Sequence, residues 1–399
     1  MRRTTYDICI VGGLGHIGLP LGISFARTGQ KVVLYDKNEA SIDIVSRGKM
    51  PFLEGGAEKP LKQILNKTLS ISSDKNVISK SHFVILTIGT PIDEHLNPQF
   101  TLFKNFFEEI ISLLNDNQHV IIRSTVYPGT TEKVQELLRR YRKKTRVSFC
   151  PERIAEGKAM EELTGLPQIV SSLDKKSLDE ASKLFLNLTR QIIPLKPIEA
   201  ELAKLFTNVW RYLQFAISNQ FYQIATQNNL DFYKIYEAVT NNYPRTKGFC
   251  KAGFAAGPCL LKDTMQLAAF ANNNFFLGHS AMLINEGLPN FIIAKLKEKT
   301  NLKNKAVGIL GMAFKGNSDD GRESLSYKLR KALTIEARQV LCSDPLVKDE
   351  RLIDAKTLIR KSDIIIIGAM HNEYKNLKLN YKSKIIVDMW NFLGRGGIF

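Results

Sequence analysis

The stretch YDICIVGGLGHIGLPLGISFARTGQKVVLYD, residues 6–36, decides the fold of the first part of the chain. Its apolar residues 6–11 predict a buried strand, and GLGHIG at 13–18 gives the GxGxxG spacing directly after that strand. An apolar, helix-like run then ends at Gly29, and KVVLY at 31–35 predicts a second strand. This order of strand, glycine turn, helix and strand predicts a Rossmann-like βαβ unit that binds a dinucleotide.

Each glycine of GLGHIG has its own structural role. The first makes the turn, the second lets the backbone approach a pyrophosphate, and the third lets the helix pack on the strand. Asp36, which ends the second strand, can accept hydrogen bonds from a ribose 2′-hydroxyl and would repel a 2′-phosphate, so we expect NAD rather than NADP. The predicted cofactor residues of this unit are Gly13, Gly15, His16, Ile17, Gly18 and Asp36.

Length and composition predict an ordinary soluble protein of two or three domains. The chain has 399 residues, of which 44% are hydrophobic and 24% charged. Its start, MRRTTYDICIVGG, lacks a signal-peptide layout, and apolar runs such as IIIIGAM at 364–370 are too short to span a bilayer. Five scattered cysteines fit reduced thiols, and no CxxC spacing indicates zinc. We therefore expect a cytoplasmic protein with no metal site and no membrane partner.

The net charge of +17 raises the question of nucleic-acid binding. The basic residues are spread along the chain, and the cluster RRYRKK at 139–144 is typical of a solvated helix end. No helix-turn-helix, RNA-binding or zinc-finger pattern accompanies them. A positive field also attracts a small polyanionic substrate, so we expect no nucleic-acid partner.

Further βα patterns extend the first domain at residues 82–91, 119–131 and 146–157. Each apolar strand ends in small or polar residues, and an open α/β sheet binds its ligands at the carboxyl ends of its strands. A cap or turn role is the alternative for each of these polar residues. The candidates to face a cofactor or substrate are Thr90, Thr125, Glu152 and Glu156.

A long helix follows Pro197, over EAELAKLFTNVWRYLQFAISNQFYQIATQNN at 199–229. On one face Lys204 and Asn208 lie one turn apart, and pairing with Glu201 is the alternative role for this lysine. The length and apolar character of the helix predict a homodimer that packs through it. The apolar residues that recur at helical spacing, and so predict a packing stripe, are Leu202, Leu205, Phe206, Val209, Leu213, Ala216 and Ile217.

The stretch GFAAGPCLLKD, residues 253–263, contains the predicted nucleophile. If a helix starts near Pro258, Cys259 lies where backbone N–H groups and the helix dipole favour a thiolate. Asp263 then follows at i+4 on the same face. A buried cysteine beside a solvated Lys262–Asp263 pair is the alternative.

The remaining segments predict a helical middle and a second α/β region. Residues 229–300 look helical, and Arg245 lies in a loop-like part of them from which it could reach a phosphate or a hydroxyl. From residue 305 strands and a helix alternate again, and glycines leave the first strand-to-helix connection open to a ligand. Two such α/β ends around a helical middle can hold two nucleotides facing each other.

Six motifs together resemble the UDP-glucose/GDP-mannose dehydrogenase family over nearly the whole chain. They are GLGHIG at 13–18, STVYPGTT at 124–131, PERIAEG at 151–157, AELAKLFTN at 200–208, AGPCLLKDT at 256–264 and GMAFKGNSDDGRES at 311–324. The resemblance implies NAD-dependent, four-electron oxidation of the C6 alcohol of a UDP-sugar to a carboxylate. It implies an α/β fold with a Rossmann-like NAD-binding domain at 1–196, a central helical, dimerising and catalytic domain at 197–300, and a Rossmann-like UDP-sugar-binding domain at 301–399.

The resemblance also implies the chemical steps. A water held by Asp263 and Thr125 would take the proton of the C6 hydroxyl as hydride leaves for NAD. The Cys259 thiolate would trap the resulting aldehyde as a thiohemiacetal, which loses a second hydride and becomes a thioester. Without this nucleophile the reaction should stop at the aldehyde.

Other roles follow from the same resemblance. Lys204 and Asn208 would stabilise the developing oxyanion, and Glu152 or Glu156 would assist the water that hydrolyses the thioester. Arg322 would join Thr90 and Thr125 in binding the cofactor. The implied substrate-binding residues are Glu152, Lys204, Asn208, Arg245, Phe254, Gly257 and Lys315.

The identity of the sugar stays open between glucose and an N-acetylhexosamine. PER at 151–153 and PR at 244–245 resemble the branch acting on N-acetylated hexosamines, whereas KDT at 262–264 resembles the UDP-glucose branch. Where the family usually has Gly-Gly-x before the cysteine, this chain has Ala-Gly-Pro at 256–258. Two other classes remain: a two-electron hydroxyacid dehydrogenase of the 6-phosphogluconate type, which would not need Cys259, and a non-catalytic NAD-binding regulator.

Overall fold

The computed structural model of the chain describes residues 4–93, 95–377, 379 and 382–396. These residues form two compact units that divide between Thr207 and Asn208. The ends of the predicted first and third domains, residues 1–3 and 397–399, lie outside the described residues. Within the described part of the chain, no helix combines the length and the apolar character that crossing a membrane requires.

The first unit contains one eight-stranded sheet. Its strands are β1 (Tyr6–Val11), β2 (Val32–Tyr35), β3 (Leu69–Ser72), β4 (Ser81–Leu86), β5 (His119–Ile122), β6 (Arg146–Phe149), β7 (Gln168–Ser172) and β8 (Ile192–Leu195). They lie in the order β3-β2-β1-β4-β5-β6-β7-β8, and all neighbours are parallel except β6 and β7. The antiparallel β7 and its neighbour β8 extend the sheet beyond the strands that the sequence predicts.

Helices cover this sheet because both of its faces are apolar. In β1, Ile8 and Ile10 belong to one core, whereas Cys9 and Val11 belong to the core on the other face. Burial on both faces is typical of a parallel sheet. The helices of the unit are α1 (Gly18–Arg27), α2 (Glu39–Ser46), α3 (Glu58–Ile64), α4 (Phe100–Ile111), α5 (Thr130–Arg140), α6 (Ala159–Gly165) and α7 (Lys175–Phe185).

The long predicted helix is present as α8 (Pro197–Gln227) and crosses the division between the units. Leu205, Val209 and Ala216 of the predicted packing stripe are buried. Phe206 and Ile217 were also predicted in that stripe, but they are 53% and 47% exposed. This chain therefore covers only part of the predicted stripe, because helical spacing identifies an apolar face without showing what packs on it.

The second unit combines helices with a four-stranded parallel sheet. The strands lie in the order β10-β9-β11-β12. Apolar residues of this sheet and of the helices around it form one continuous core. The elements are α9 (Phe232–Thr240), α10 (Leu260–Phe270), α11 (Phe276–Lys299), β9 (Ala306–Leu310), α12 (Leu325–Glu336), β10 (Gln339–Ser343), α13 (Ala355–Lys361), β11 (Ile364–Ile367) and β12 (Ile385–Val387).

Candidate functional site

The turn after β1 is made by Gly12 rather than by the first glycine of the GxGxxG spacing. Gly12 has φ +76°, a left-handed conformation that residues with a Cβ rarely adopt. The Thr87 hydroxyl donates to the carbonyl oxygens of Val11 and Gly12 at 2.9 and 3.0 Å, which fixes the turn from β4.

The three predicted glycines differ in what surrounds them. A Cβ on Gly13 would lie 2.8 Å from the Leu34 Cβ of β2, and a Cβ on Gly18 would overlap the Gly12 carbonyl oxygen. Among the described residues other than its two chain neighbours, only Gly12 has an atom, its carbonyl oxygen at 3.6 Å, within 4 Å of a Cβ on Gly15, so this position is open to an approaching group. These surroundings fit a pyrophosphate beside Gly15, at the start of α1.

Asp36 lies beside this glycine turn. Its Oδ2 accepts from the Leu14 N–H and its Oδ1 from the Asn38 N–H, both at 3.0 Å. Each carboxylate oxygen has a second lone pair, so the position fits a ribose hydroxyl. The residues of this turn fit NAD, which would lie with its pyrophosphate at the turn and a ribose at Asp36.

The other two predicted residues of the turn lie at the entry to α1. Ile17 is the residue that precedes the helix. The ring of His16 stacks on Phe52, with centroids 4.0 Å apart and an angle of 26° between the planes. His16 is therefore held by an aromatic contact that the glycine spacing does not predict.

Thr90 and Thr125 are brought together in the first unit. The Thr90 hydroxyl donates to the Thr125 carbonyl oxygen. Both residues follow the carboxyl ends of neighbouring parallel strands, β4 and β5. Their positions after these strands predict this edge of the sheet, and the hydrogen bond connects them there.

Glu152 is held by a buried cation, Arg123, that no motif of the sequence predicts. Arg123 forms an ion pair with Oε2 of Glu152 and also donates to the Cys150 carbonyl oxygen at 3.1 Å. Oε1 of Glu152 accepts from the N–H groups of Arg153 and Ile154 at 2.7 and 3.0 Å. The only local signal for this role was an arginine directly after the apolar strand β5.

Glu156 lies in the same loop, four residues after Glu152, and is partly buried. This loop leads into α6 and is tied to Glu54, whose carboxylate accepts from the N–H groups of Gly157 and Ala159 at 2.9 and 2.7 Å. The backbone that carries both predicted glutamates is therefore fixed at its two ends.

Cys259 lies directly before the amino terminus of α10. The helix starts at Leu260, two residues after Pro258, and Cys259 has φ −112° and ψ −46°. Cys259 is exposed, so it is not the buried cysteine of the alternative interpretation. An exposed sulfur at a helix amino terminus is placed where N–H groups and the helix dipole stabilise a thiolate.

Asp263 is fully buried and binds two donors in the second unit. Its Oδ2 accepts from Asn208 Nδ2 and its Oδ1 from Lys262 Nζ, both at 2.6 Å. The Lys262–Asp263 pair is therefore not a solvated surface pair. A primary amide has two N–H donors, so one remains on Asn208 for another acceptor.

Lys204 does not pair with Glu201, which was the alternative role for this lysine. Glu201 instead accepts from the N–H groups of Gly129 and Thr131 and from the Thr131 hydroxyl, at 2.6 to 2.9 Å. Burial raises the pKa of Glu201, opposed by the hydrogen bonds from Thr131. Lys204 is only 8% exposed, and no carboxylate among the described residues forms an ion pair with it. Such a cation is suited to stabilise an anionic group of a ligand.

Three predicted substrate residues have surroundings that limit how they can act. The Phe254 side chain lies in the core of the second unit, so only its backbone can contact a substrate. Gly257 has φ +106°, and a Cβ there would lie 2.5 Å from the Phe314 ring. Arg245 lies on an exposed 3-10 turn (Pro244–Thr246), with its guanidinium 5.6 Å from the centre of the Tyr243 ring.

Lys315 and Arg322 follow β9. The Lys315 Nζ lies 5.4 Å from the centre of the Phe314 ring. Arg322 binds the Asp320 carboxylate with Nε and Nη2, at 3.0 and 2.6 Å, although its side chain is 56% exposed. If Arg322 contacts the cofactor, it would have to do so with guanidinium N–H groups other than those that donate to Asp320.

Asp344 is a buried carboxylate that the sequence argument did not select. It follows β10 as Asp36 follows β2, and its Oδ2 accepts from the Met312 and Ala313 N–H groups at 2.6 and 2.9 Å. His371 Nε2 lies 3.1 Å from the same oxygen. Burial raises the pKa of Asp344, but the hydrogen bonds, led by His371, outweigh it and lower the pKa to about 2. The sequence signal for Asp344 was available: an acidic residue directly after the second strand of the unit, the same pattern that identified Asp36.

Models of all three domains of one family match the chain. The NAD-binding domain model of the UDP-glucose/GDP-mannose dehydrogenase family matches residues 6–189, the central domain model residues 198–286, and the UDP-binding domain model residues 308–395. UDP-N-acetyl-D-mannosamine dehydrogenase of Pyrococcus horikoshii is 29% identical, with 96% of this chain and 94% of the relative covered. The protein of the same name from Methanocaldococcus jannaschii is 28% identical, with 97% and 93% covered.

Two solved structures are similar to this chain over nearly its whole length. The UDP-D-ManNAc dehydrogenase of Pyrococcus horikoshii has a TM-score of 0.89 and 28% identity, with 97% of this chain and 96% of that chain covered. A UDP-glucose dehydrogenase of Pyrobaculum islandicum has a TM-score of 0.88 and 25% identity, with 97% and 95% covered. The chain belongs to the UDP-glucose/GDP-mannose dehydrogenase family.

Proposed function

We propose that this protein oxidises the C6 alcohol of a UDP-N-acetylhexosamine to the carboxylate, with Cys259 as a covalent nucleophile. The observation that carries the proposal is the exposed sulfur at the start of α10, four residues before the buried carboxylate of Asp263. A hydroxyacid dehydrogenase or an NAD-binding regulator would have no use for this pair of groups.

The geometry of the second unit supports specific roles for three residues. The Cys259 thiolate would add to the C6 aldehyde, and the tetrahedral adduct would carry an oxyanion. One N–H of Asn208 is bound to Asp263, which orients the amide and leaves the other N–H for that oxyanion. Asp263 would in turn hold the water that takes the proton of the C6 hydroxyl. NAD would supply the hydride acceptor, one molecule for each of the two oxidation steps.

For a further set of residues, the proposed roles are predictions that come from the resemblance to the family. Glu152, oriented by Arg123, would assist the water that hydrolyses the thioester and returns the thiol. Lys204, buried and without a carboxylate partner among the described residues, would add a positive charge to the oxyanion site. Thr125 and Glu156 would assist proton transfer, and Arg245, Lys315 and Arg322 would bind substrate or cofactor.

The N-acetylhexosamine is favoured over glucose by the relatives. The proteins from Pyrococcus horikoshii and Methanocaldococcus jannaschii are both named for UDP-N-acetyl-D-mannosamine. The sequence PER at 151–153 resembles the same branch of the family. The similar UDP-glucose dehydrogenase structure keeps UDP-glucose as the alternative substrate.

A substrate panel tests this proposal. The purified protein is incubated with NAD and with UDP-N-acetylmannosamine, UDP-N-acetylglucosamine, UDP-glucose or GDP-mannose, and NADH is counted per sugar consumed. Two NADH per UDP-N-acetylhexosamine are expected. One NADH per molecule would support a two-electron enzyme, no NADH a regulator, and faster turnover of UDP-glucose the other sugar branch.

We also propose that the protein is a homodimer through α8 and acts in the cytoplasm. Support for the dimer comes from an apolar stripe on the exposed side of this helix, whose members are each 47–60% exposed. Exposed apolar residues at helical spacing are typical of a helix that packs on a partner. The stripe consists of Phe206, Trp210, Ile217, Phe221 and Ile224.

A further inference from the structure

The main chain of residues 248–253, which leads to the nucleophile, is bound by side chains of α8. Gln214 Nε2 donates to the Gly248 carbonyl oxygen at 3.1 Å. The Ser218 hydroxyl donates to the Cys250 carbonyl oxygen at 2.6 Å. These bonds fix a segment that has no helix or strand of its own, because its carbonyls are satisfied by side chains instead of by a neighbouring strand.

Asn219 forms the innermost of these contacts and binds both main-chain groups of one residue. Its Oδ1 accepts from the Gly253 N–H at 2.8 Å, and its Nδ2 donates to the Gly253 carbonyl oxygen at 3.0 Å. Two bonds to one residue fix the direction of the chain as well as its position. Asn219 is fully buried, so water does not compete for these bonds.

A second buried amide orients Asn219. Asn219 Nδ2 also donates to Oδ1 of Asn285 on α11, at 2.9 Å. Asn285 Nδ2 donates to the Tyr212 carbonyl oxygen of α8, at 3.1 Å. Because the carbonyl end of each amide has a donor and the NH₂ end an acceptor, neither side chain can flip without breaking bonds in the core.

Two aromatic rings limit the movement of the segment that follows. A Cβ on Gly253 would overlap the Trp390 ring, and a Cβ on Gly257 would lie 2.5 Å from the Phe314 ring. The loop 253–257 is thus held at both of its ends by close packing. Cys259 follows two residues after the second of these contacts, directly before α10.

We propose that Asn219 and Asn285 are positioning residues that set the place of the Cys259 sulfur. They act through the backbone of Gly253 and do not touch the reacting atoms. The inference depends on the proposed function only in assigning Cys259 as the nucleophile. An error of about 1 Å in the place of a reacting atom can cost about 100-fold in rate.

Asn219→Ala tests the proposal, with Asn228→Ala as the matched control, because Asn228 is an exposed asparagine directly after α8 whose Nδ2 donates only to the Ile224 carbonyl oxygen among the described residues. The first readout is the rate at which iodoacetamide alkylates Cys259 in the folded protein without substrate, followed by mass spectrometry of the Cys259 peptide. We expect at least a fivefold lower rate for Asn219→Ala and a rate within twofold of wild type for Asn228→Ala. The second readout is turnover, where we expect kcat to fall about 100-fold and KM to change less than threefold.

Asn285→Ala and a pair of Gly253 variants keep the test decisive if Asn219→Ala does not fold. Asn285→Ala should shift both readouts in the same direction as Asn219→Ala. Gly253→Ala should lower the alkylation rate, and the double variant Gly253→Ala with Trp390→Leu should recover part of it because the overlap is relieved.

Several results would overturn the positioning role. One is a lower melting temperature for the asparagine variants with alkylation rate and kcat within twofold of wild type. The lack of any recovery in the Gly253→Ala, Trp390→Leu pair is another. If the wild-type protein turned over no UDP-sugar, the proposed function would fail, while the alkylation rates would still decide the positioning role.

Discussion

Asn208 on α8 donates from Nδ2 to Oδ2 of Asp263 on α10 at 2.6 Å. The other carboxylate oxygen of Asp263 accepts from Lys262 at the same distance, and the carboxylate is fully buried. The bond between the two helices therefore orients an acid and an amide with respect to each other. It explains why both residue types are needed, since either one alone would leave a buried polar group without its partner.

Asp263→Asn should lower kcat by about 100- to 10,000-fold, the range for loss of a general base. The amide retains the size of the side chain but loses the negative charge that holds the proton-accepting water, and its NH₂ group meets a donor on Lys262 or on Asn208. Steady-state NADH formation measures the effect. Lys262→Ala is the control: it keeps the bond between Asn208 and Asp263, so it should reduce kcat less than Asp263→Asn does. Equal losses in the two variants would argue against the role of Asp263 in holding the proton-accepting water.

Cys259→Ala should uncouple the two oxidation steps. Without the thiol no thiohemiacetal can form, so the reaction should stop at the aldehyde and yield at most one NADH per sugar. NADH counting together with trapping of the aldehyde by a hydrazine measures this outcome. Cys250→Ala, which changes a partly buried cysteine nine residues earlier, should retain two NADH per sugar. Uronic acid formed by Cys259→Ala at the wild-type rate would exclude the covalent route.

Acid should destabilise the first unit through His119 and Glu180. Burial lowers the pKa of His119 below its ordinary value near 6.5, and hydrogen bonding to Glu180 opposes this. For Glu180, burial raises the pKa, but hydrogen bonds to His119 and His82 outweigh it and lower the pKa to about 2.

The pKa values of His119 and Glu180 are both lowered in the folded protein, so both groups make the protein less stable as the pH falls. As the pH falls below about 6.5 the unfolded His119 binds a proton before the folded one, and below about 4.5 the unfolded Glu180 does the same. Stability should therefore be lost continuously as the pH falls through this window. Melting temperatures between pH 8 and pH 3 measure it. Glu180→Gln should flatten the part of the curve below about pH 4.5; an unchanged slope there would contradict the role of this carboxylate.

Patterns along the chain predicted the family, the α/β fold class, the NAD cofactor and the dehydrogenase class, and these predictions are confirmed. They depend on local features, such as the glycine spacing before α1 and the acid after β2, which short-range chemistry determines. No local sequence pattern indicates the contacts that hold the candidate site together. Asn208 and Asp263 are 55 residues apart, and Asn219 and Gly253 are 34 apart, so only the folded chain brings them together.

The antiparallel β7 and the exposure of Phe206 and Ile217 on α8 were not predicted, for a related reason. Periodicity shows which face of an element is apolar, but the identity and direction of its neighbour depend on the whole chain. Arg123 shows the same limit for charge. A basic residue after a strand predicts a solvent-facing side chain, whereas here the guanidinium is buried against Glu152.

Asp344→Asn should destabilise the second unit by about 3 kcal/mol, the scale of losing hydrogen bonds to a charged buried acceptor. Oδ1 accepts from the Leu346 and Val347 N–H groups at 2.8 and 2.9 Å, and Oδ2 accepts from two more. Whichever way an asparagine turns, its NH₂ group would face N–H donors. Denaturant unfolding measures the change. Asp354→Asn is the control, because asparagine caps α13 as well as aspartate does and stability should stay within about 0.5 kcal/mol.

Trp210→Glu should convert the proposed dimer to a monomer. Trp210 is 60% exposed in the single chain, in the middle of the apolar stripe of α8, and a second copy packed there would cover it. A charge in such a contact would have to be desolvated without a partner, which costs several kcal/mol. Light scattering after size-exclusion chromatography measures the mass. Ile335→Glu is the control, since Ile335 is 84% exposed on α12, outside the stripe, and should leave the mass unchanged. A Trp210→Glu protein with the wild-type mass would show that α8 is not the contact between subunits, and the exposed stripe would then need another partner.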